Sequence, residues 1–138
     1  MNWNPGELDF QSLPACHLMY MFGVRGEYLD LCMLQRSTDL CLGTYTNIPS
    51  YALLLSLIAK ITGYKPGIFT HFTWNTHIYE DHIEGVDEQL TRNPYPAPTL
   101  IMNDNIKTLE DLETWVTVDD FRFENYQYWP IINYPFAE

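Results

Sequence analysis

LPACHLMYMFGVRGEYLDLCMLQRSTDLCLGTYTN, from Leu13 to Asn47, decides how the rest of the chain is read. His17 to Val24 is almost wholly apolar, and Tyr28 to Leu34 is apolar with one interruption. Arg25-Gly26-Glu27 separates the two runs, and glycine takes the positive φ that a tight hairpin turn needs. The pattern predicts two antiparallel strands, then a polar loop and a helix. A two-residue turn at Arg25-Gly26 pairs positions summing to 51 and sets Cys16 opposite Gln35. A three-residue turn with a bulged Gly26 moves the sum to 52 and sets Cys16 opposite Arg36. A one-residue slip exchanges the faces, so only the second register brings thiol and guanidinium to the same side. A thiol beside a fixed positive charge holds more of its reactive thiolate form.

Beyond this stretch, Pro49 to Thr62 is predicted as a helix with Pro49 in its first turn and Gly63 as its stop. Apolar residues surround most of it, so it is expected to be largely buried. Ile68 to Trp74 is β-prone, and His77-Ile78-Tyr79 reads as a further short extended run. Glu80 to Thr91 reads as an exposed amphipathic helix with Ile83, Val86 and Leu90 as its stripe. A short strand follows at Thr99 to Met102, then an irregular stretch or short helical turn from Asn103 to Asp111. Trp115 to Val118 and Phe121 to Phe123 read as a strand pair or one bent strand. Pro5-Gly6 marks a turn in the polar approach, and prolines break up the aromatic tail from Asn125 to Glu138.

The 138 residues fit one domain, and 46% hydrophobic with 15% aromatic residues is too apolar for a disordered chain. A net charge of -11, from 18 acidic and 7 basic residues, argues against nucleic acid or an anionic membrane as partner. Three cysteines at no metal-like spacing suggest free thiols in a reducing compartment, and no basic-then-apolar leader opens the chain. The longest apolar run, near Ala52 to Ile61, is too short to span a bilayer. The expected setting is cytoplasmic. No metal signature stands out among the histidines and cysteines.

LPACH, followed by LQRSTDLCLGTYTNIPSYALL, closely resembles the active-site core of thymidylate synthase. Further matches are Trp3-Asn4-Pro5-Gly6-Glu7-Leu8-Asp9, WNTHIY, NPYPAP and the final DFRFENYQYWPIINYPFAE. The resemblance takes in essentially all of residues 1–138, which correspond to the C-terminal portion of that family's catalytic domain. It implies an α/β fold with a mixed, twisted sheet and packed helices, lacking the family's N-terminal portion. It also implies a dimer formed through sheet faces.

The same resemblance implies reductive methylation of deoxyuridylate by 5,10-methylenetetrahydrofolate. Cys16 matches the nucleophile that adds to C6 of the pyrimidine and so makes C5 nucleophilic. Arg36 and Ser37 match the phosphate contacts, Arg36 also lying next to the nucleophile, and a guanidinium binds two phosphate oxygens at once. Asn47 matches the residue that reads the base, and His77 and Tyr79 match the pair that holds the sugar 3'-hydroxyl. Asp39 matches the folate-ring contact, with capping of its own loop as the ordinary alternative. Gln35 is expected to support the geometry, and Cys32 and Cys41 to be structural. For Arg36 the ordinary alternative is a surface ion pair, and for Asn47 the cap of the Pro49 helix.

The departures from the family pattern matter too. Trp74-Asn75 replaces a glycine and an aspartate before the histidine, Thr44-Tyr45-Thr46 replaces Leu-Pro-Phe, and Pro49 replaces an alanine. The chain ends Tyr134-Pro135-Phe136-Ala137-Glu138 where relatives end in an aliphatic residue. These changes leave a deoxyuridylate hydroxymethylase open as an alternative. The family's phosphate-loop arginine, its proton-transfer glutamate and the partner's paired arginines have no counterpart here. The missing N-terminal half or a complementary chain is therefore the expected partner, with a noncatalytic nucleotide-binding or assembly subunit as the third alternative.

Overall fold

The computed structural model describes residues 4–10 and 13–136. Trp3 of the resemblance and the terminal Ala137-Glu138 lie outside the described residues. A 3-10 turn at Pro5–Phe10 precedes strand β1 (His17–Arg25), which turns back into β2 (Tyr28–Asp39). Helix α1 (Thr44–Thr62) then leads to β3 (Lys65–His77). β2 is the shared strand of a three-stranded mixed sheet, antiparallel to β1 and parallel to β3. A 3-10 turn at Glu80–His82 opens α2 (Ile83–Leu90); β4 (Thr99–Met102) pairs antiparallel with β5 (Phe121–Glu124), and α3 (Leu109–Thr114) lies between them.

The hairpin turn differs from both expected forms. Arg25 pairs with Tyr28, so Gly26 and Glu27 are the two loop residues and the positions sum to 53. Gly26 has φ +62, and glycine at the first loop position is the usual choice for a type II′ turn. An irregularity between His17 and Met19 then shifts the ladder by one, and His17 pairs with Gln35. The turn was misplaced by one residue, yet the bulge restores the sum of 52 that sets Cys16 against Arg36. The Arg36 amide donates to the Cys16 carbonyl at 2.7 Å.

Along β2, Leu29, Leu31, Met33 and Gln35 are buried, the period of two expected of a strand with one covered face. Tyr51, Leu55 and Ala59, four residues apart on α1, pack on the three apolar ones and complete the core. The rest of α1 corrects the expectation of a mostly buried helix. Ala52, Leu53 and Ser56 are half-buried and, with Leu100, Phe121 and Phe123, line an open apolar cavity of about 650 Å³. α1 also starts at Thr44, five residues before Pro49. A proline that early in a helix removes one internal hydrogen bond without breaking it.

β3 runs unbroken from Lys65 to His77, because the ladder to β2 carries the chain through the polar Thr73, Asn75 and Thr76. The predicted strand at Trp115 to Val118 is not one. Thr117 and Asp120 form a capping box around a 3-10 turn there, and the strand begins only at Phe121. Thr108 and Asp111 cap α3 reciprocally, so the short helical turn that was one of the two expectations for Asn103 to Asp111 forms, placed at Leu109–Thr114. The predicted Glu80–Thr91 helix is a 3-10 turn continued by α2.

The sheet face away from α1 carries Met19, Met21, Cys32, Leu34 and Phe72 by register, and Met19, Met21 and Phe72 are exposed. An apolar face of this kind marks an interaction surface more often than a bare wall.

Candidate active site

β2 and β3 carry most of the predicted site residues, and the hairpin brings the nucleophile to them. Cys16 is half-buried just before β1. Nη2 of Arg36 reaches its sulfur at 3.5 Å and donates to the Pro14 carbonyl at 2.9 Å. That second bond holds the guanidinium over the thiol, a contact suited to a sulfur anion. Nε of Arg36 is buried without a protein acceptor, so a donor remains for an anionic group. The surface ion pair considered for Arg36 is absent among the described residues; its partners are a carbonyl and a thiol.

Gln35 is buried, with both its amide nitrogen and its oxygen hydrogen-bonded. Its Nε2 donates to the Ser37 carbonyl at 2.9 Å, and its Oε1 accepts from Nε2 of His71 at 2.8 Å. The amide thus ties the segment around Ser37 on β2 to β3. His71 stacks on Phe69, which stacks on Tyr51, whose hydroxyl meets Nδ1 of His17 at 3.3 Å. This polar and aromatic support beneath the nucleophile was missed in the sequence beyond the general role given to Gln35. A histidine inside a β-prone run carries no signal of its own.

Burial, and secondarily the neighbouring His17, holds the His71 imidazole below its ordinary value near 6.5. The folded state therefore prefers neutral His71, and the unfolded chain binds more protons once the pH drops below about 6.5. Stability should be full above that value and fall as the pH drops toward the lowered folded value. Urea midpoints between pH 7.5 and 5 should decline in the wild type and decline less in His71→Gln; equal slopes would remove His71 from the account.

Three residues along β2 from Arg36, about 10 Å at strand rise, Asp39 pairs with His77 of β3. The Leu40 amide donates to the His77 carbonyl at 3.1 Å. Nδ1 of His77 is buried without a partner, and its ring meets the Tyr79 ring edge-on at 5.2 Å. The two predicted sugar contacts therefore stand side by side, although Tyr79 lies beyond the end of the strand. Asp39 caps its own loop: Oδ1 accepts from the amides of Cys41 and Leu42 at 2.8 and 3.2 Å. Its carbonyl accepts from Gly43 and Thr44.

Asn47 sits in the first turns of α1 with Nδ2 beside Gly43. A Cβ built on Gly43 would lie 3.3 Å from that nitrogen and 3.1 Å from the Asp39 carbonyl. It is not the helix cap considered earlier, since the N-cap is Gly43 and no side chain bonds there. Trp74 is 81% exposed and so fills no pocket within this chain.

Cys16, Arg36, Gln35 and Ser37 thus form one group, and Asp39, Asn47, His77 and Tyr79 a second. The last residues of β2 join them. The family model for thymidylate synthase matches residues 1–138. The chain belongs to the thymidylate synthase family. It is 47% identical over 136 residues to the thymidylate synthase of Shewanella frigidimarina, covering 98% of this chain and 48% of that protein. It is 48% identical, with the same coverage, to that of Photobacterium profundum. Thermostable thymidylate synthase A from Bacillus subtilis superposes with a TM-score of 0.87 at 33% identity, covering 97% of this chain and 47% of that one. The chain therefore spans about half the length of the thymidylate synthases it matches, in the same mixed α/β fold.

Among the described residues no helix is long and apolar enough to cross a membrane. The C-terminal segment docks back on α2. The Tyr134 hydroxyl donates to Gln89 at 3.0 Å, and Gly85 leaves room for the Tyr134 ring.

Proposed function

We propose that this chain is the nucleophile-bearing, C-terminal part of a deoxyuridylate-methylating assembly. The observation that carries the reading is the single guanidinium of Arg36, fixed to Pro14, touching the Cys16 sulfur, and holding a buried free donor beside Ser37. In this reading Arg36 and Ser37 hold the 5'-phosphate, and the Cys16 thiolate attacks C6 of the base. Asn47 donates to O4 and accepts from N3–H, while His77 and Tyr79 hold the 3'-hydroxyl. The electron pair pushed onto C5 and O4 makes C5 the nucleophile.

The residues present fit one end of the folate. Asp39 is half-buried, its Oδ1 accepting from the Cys41 and Leu42 amides and its charge felt by the Tyr45 hydroxyl, so its carboxylate keeps acceptor capacity for the folate ring. Methylenetetrahydrofolate, when bound, supplies the one-carbon unit and the hydride. No carboxylate among the described site residues is free for proton transfer at C5 without giving up that contact, so in this reading that group lies outside these 138 residues. The apolar sheet face bearing Met19, Met21 and Phe72 is the surface through which a dimer forms in this reading.

Tritium release from position 5 of deoxyuridylate tests the assignment. It should occur only when this chain is mixed with a chain carrying the other half of a thymidylate synthase, and mass in solution should then correspond to a dimer of the pair. Turnover by this chain alone, or a stable monomer in every mixture, would overturn it. Product identification settles whether methyl or hydroxymethyl is transferred. Silence in every mixture together with specific nucleotide binding would favour a noncatalytic subunit.

A further inference from the structure

We propose that Asp39, Cys41 and His82 form a binding site for a thiophilic divalent cation of the zinc type. A carboxylate oxygen, the Cys41 sulfur and a ring nitrogen of His82 lie within 4.8 Å of one another. Cys41 is 3% exposed and His82 fully buried, so the donor set is largely inside the protein.

The independent observation is the state of His82. Its Nε2 lies 2.8 Å from the Pro135 carbonyl, which can only accept, so in the neutral ring Nε2 carries the proton and Nδ1 keeps the lone pair. Nδ1 is buried and has no hydrogen-bond partner. A buried lone pair left bare is unfavourable, and most such atoms in folded proteins are satisfied. Metal-bound histidines are held in this same way, one nitrogen donating to a backbone carbonyl and the other facing the ion.

The chemistry of the set selects the ion. Nitrogen, thiolate and carboxylate together suit zinc, cobalt or cadmium and not magnesium or calcium, which take oxygen ligands. Bond lengths of about 2.0–2.3 Å put ligand atoms near 3.5 Å apart in a tetrahedron, so closing the cluster takes about 1 Å of side-chain movement. Binding displaces the thiol proton to solvent. A doubly charged ion with one thiolate, one carboxylate and one neutral imidazole is then uncharged overall, which favours a buried position. Three protein ligands leave the fourth position to water.

The ligands come from the last residue of β2, the loop after it and the 3-10 turn before α2, so an ion would clamp these segments together. Through Pro135 it would also fix the C-terminal segment.

Cobalt(II) added to the metal-free 138-residue chain tests the site, because a thiolate ligand gives an intense near-ultraviolet charge-transfer band. We expect a stoichiometric band that zinc abolishes, that Cys41→Ser lacks and that Cys16→Ser keeps. His82→Gln should weaken cobalt affinity by at least the roughly 10–100-fold seen when an outer partner of a ligand is lost. Zinc should also raise the wild-type unfolding temperature and leave that of Cys41→Ser unchanged. Absence of the band, its survival in Cys41→Ser, or its loss in Cys16→Ser alone would overturn the proposal. Cys41→Ser changes only sulfur for oxygen, so the test stands even where His82→Gln fails to fold.

Discussion

Cys16→Ser is expected to abolish covalent capture of 5-fluorodeoxyuridylate by the assembled enzyme. It should also reduce tritium release by at least about 10³-fold, since removing a nucleophile removes the intermediate itself. Intact-mass spectrometry of the reconstituted complex with folate present reads the first effect directly. Arg36→Lys is the informative companion. Lysine keeps the charge and one nitrogen but has no counterpart of the buried Nε donor beside the Nη2 that reaches Pro14 and Cys16, so adduct formation should slow sharply while the fold persists. An adduct of unchanged yield in Cys16→Ser would assign the nucleophile elsewhere.

Gly67→Ala should destabilise the fold by about 3 kcal/mol, the upper end of what overpacking causes. A Cβ at Gly67 would stand 2.1 Å from an Asp30 carboxylate oxygen and 2.8 Å from the Leu29 carbonyl. The carboxylate can swing away, but the carbonyl belongs to the backbone of β2. That same carboxylate accepts from the Ile68 amide at 2.7 Å and from Arg25 at 2.9 Å, joining the hairpin to the start of β3. Its pKa is held below the ordinary carboxylate range, first by Arg25 and then by the Ile68 amide. Displacing it loosens the place where β3 enters the sheet, which irregular pairing between Leu29 and Leu31 already marks. The urea midpoint should fall with an unchanged slope. A wild-type midpoint would show that β2 and β3 accommodate the methyl freely.

The contact between Cys16 and Arg36 was legible because a strand's period of two leaves few registers, and one of them joined these residues. The route to it was legible only in part. Glycine as the first loop residue is the type II′ mark that favours Gly26-Glu27, but nothing in His17-Leu18-Met19 announces a bulge. Thr99 to Met102 was read to the residue, since Pro98 and the polar Asn103 bound it. The start of α1 was read late because Pro49 is a stronger mark than the weakly helical Thr44-Tyr45-Thr46. His82 and His71 escaped notice for another reason: their partners, Pro135 and Gln35, are 53 and 36 residues away in sequence. Family likeness supplied the roles of Asn47, His77 and Tyr79, and spacing alone would have left them structural.

Because β2 pairs with β1 across a two-residue turn but with β3 at an offset of 38 residues, Asp39 to His77, the two halves of the site belong to different kinetic regimes. A hairpin closes in about 1–10 μs, whereas parallel pairing waits on closure of a long intervening segment. During synthesis Cys16 and Arg36 can meet as soon as β2 has emerged, with α1 and β3 still unmade. The side proposed to hold the sugar, which depends on His77, is assembled later. In temporal terms the chain brings its proposed nucleophile and guanidinium together first and the residues proposed to position a substrate afterwards.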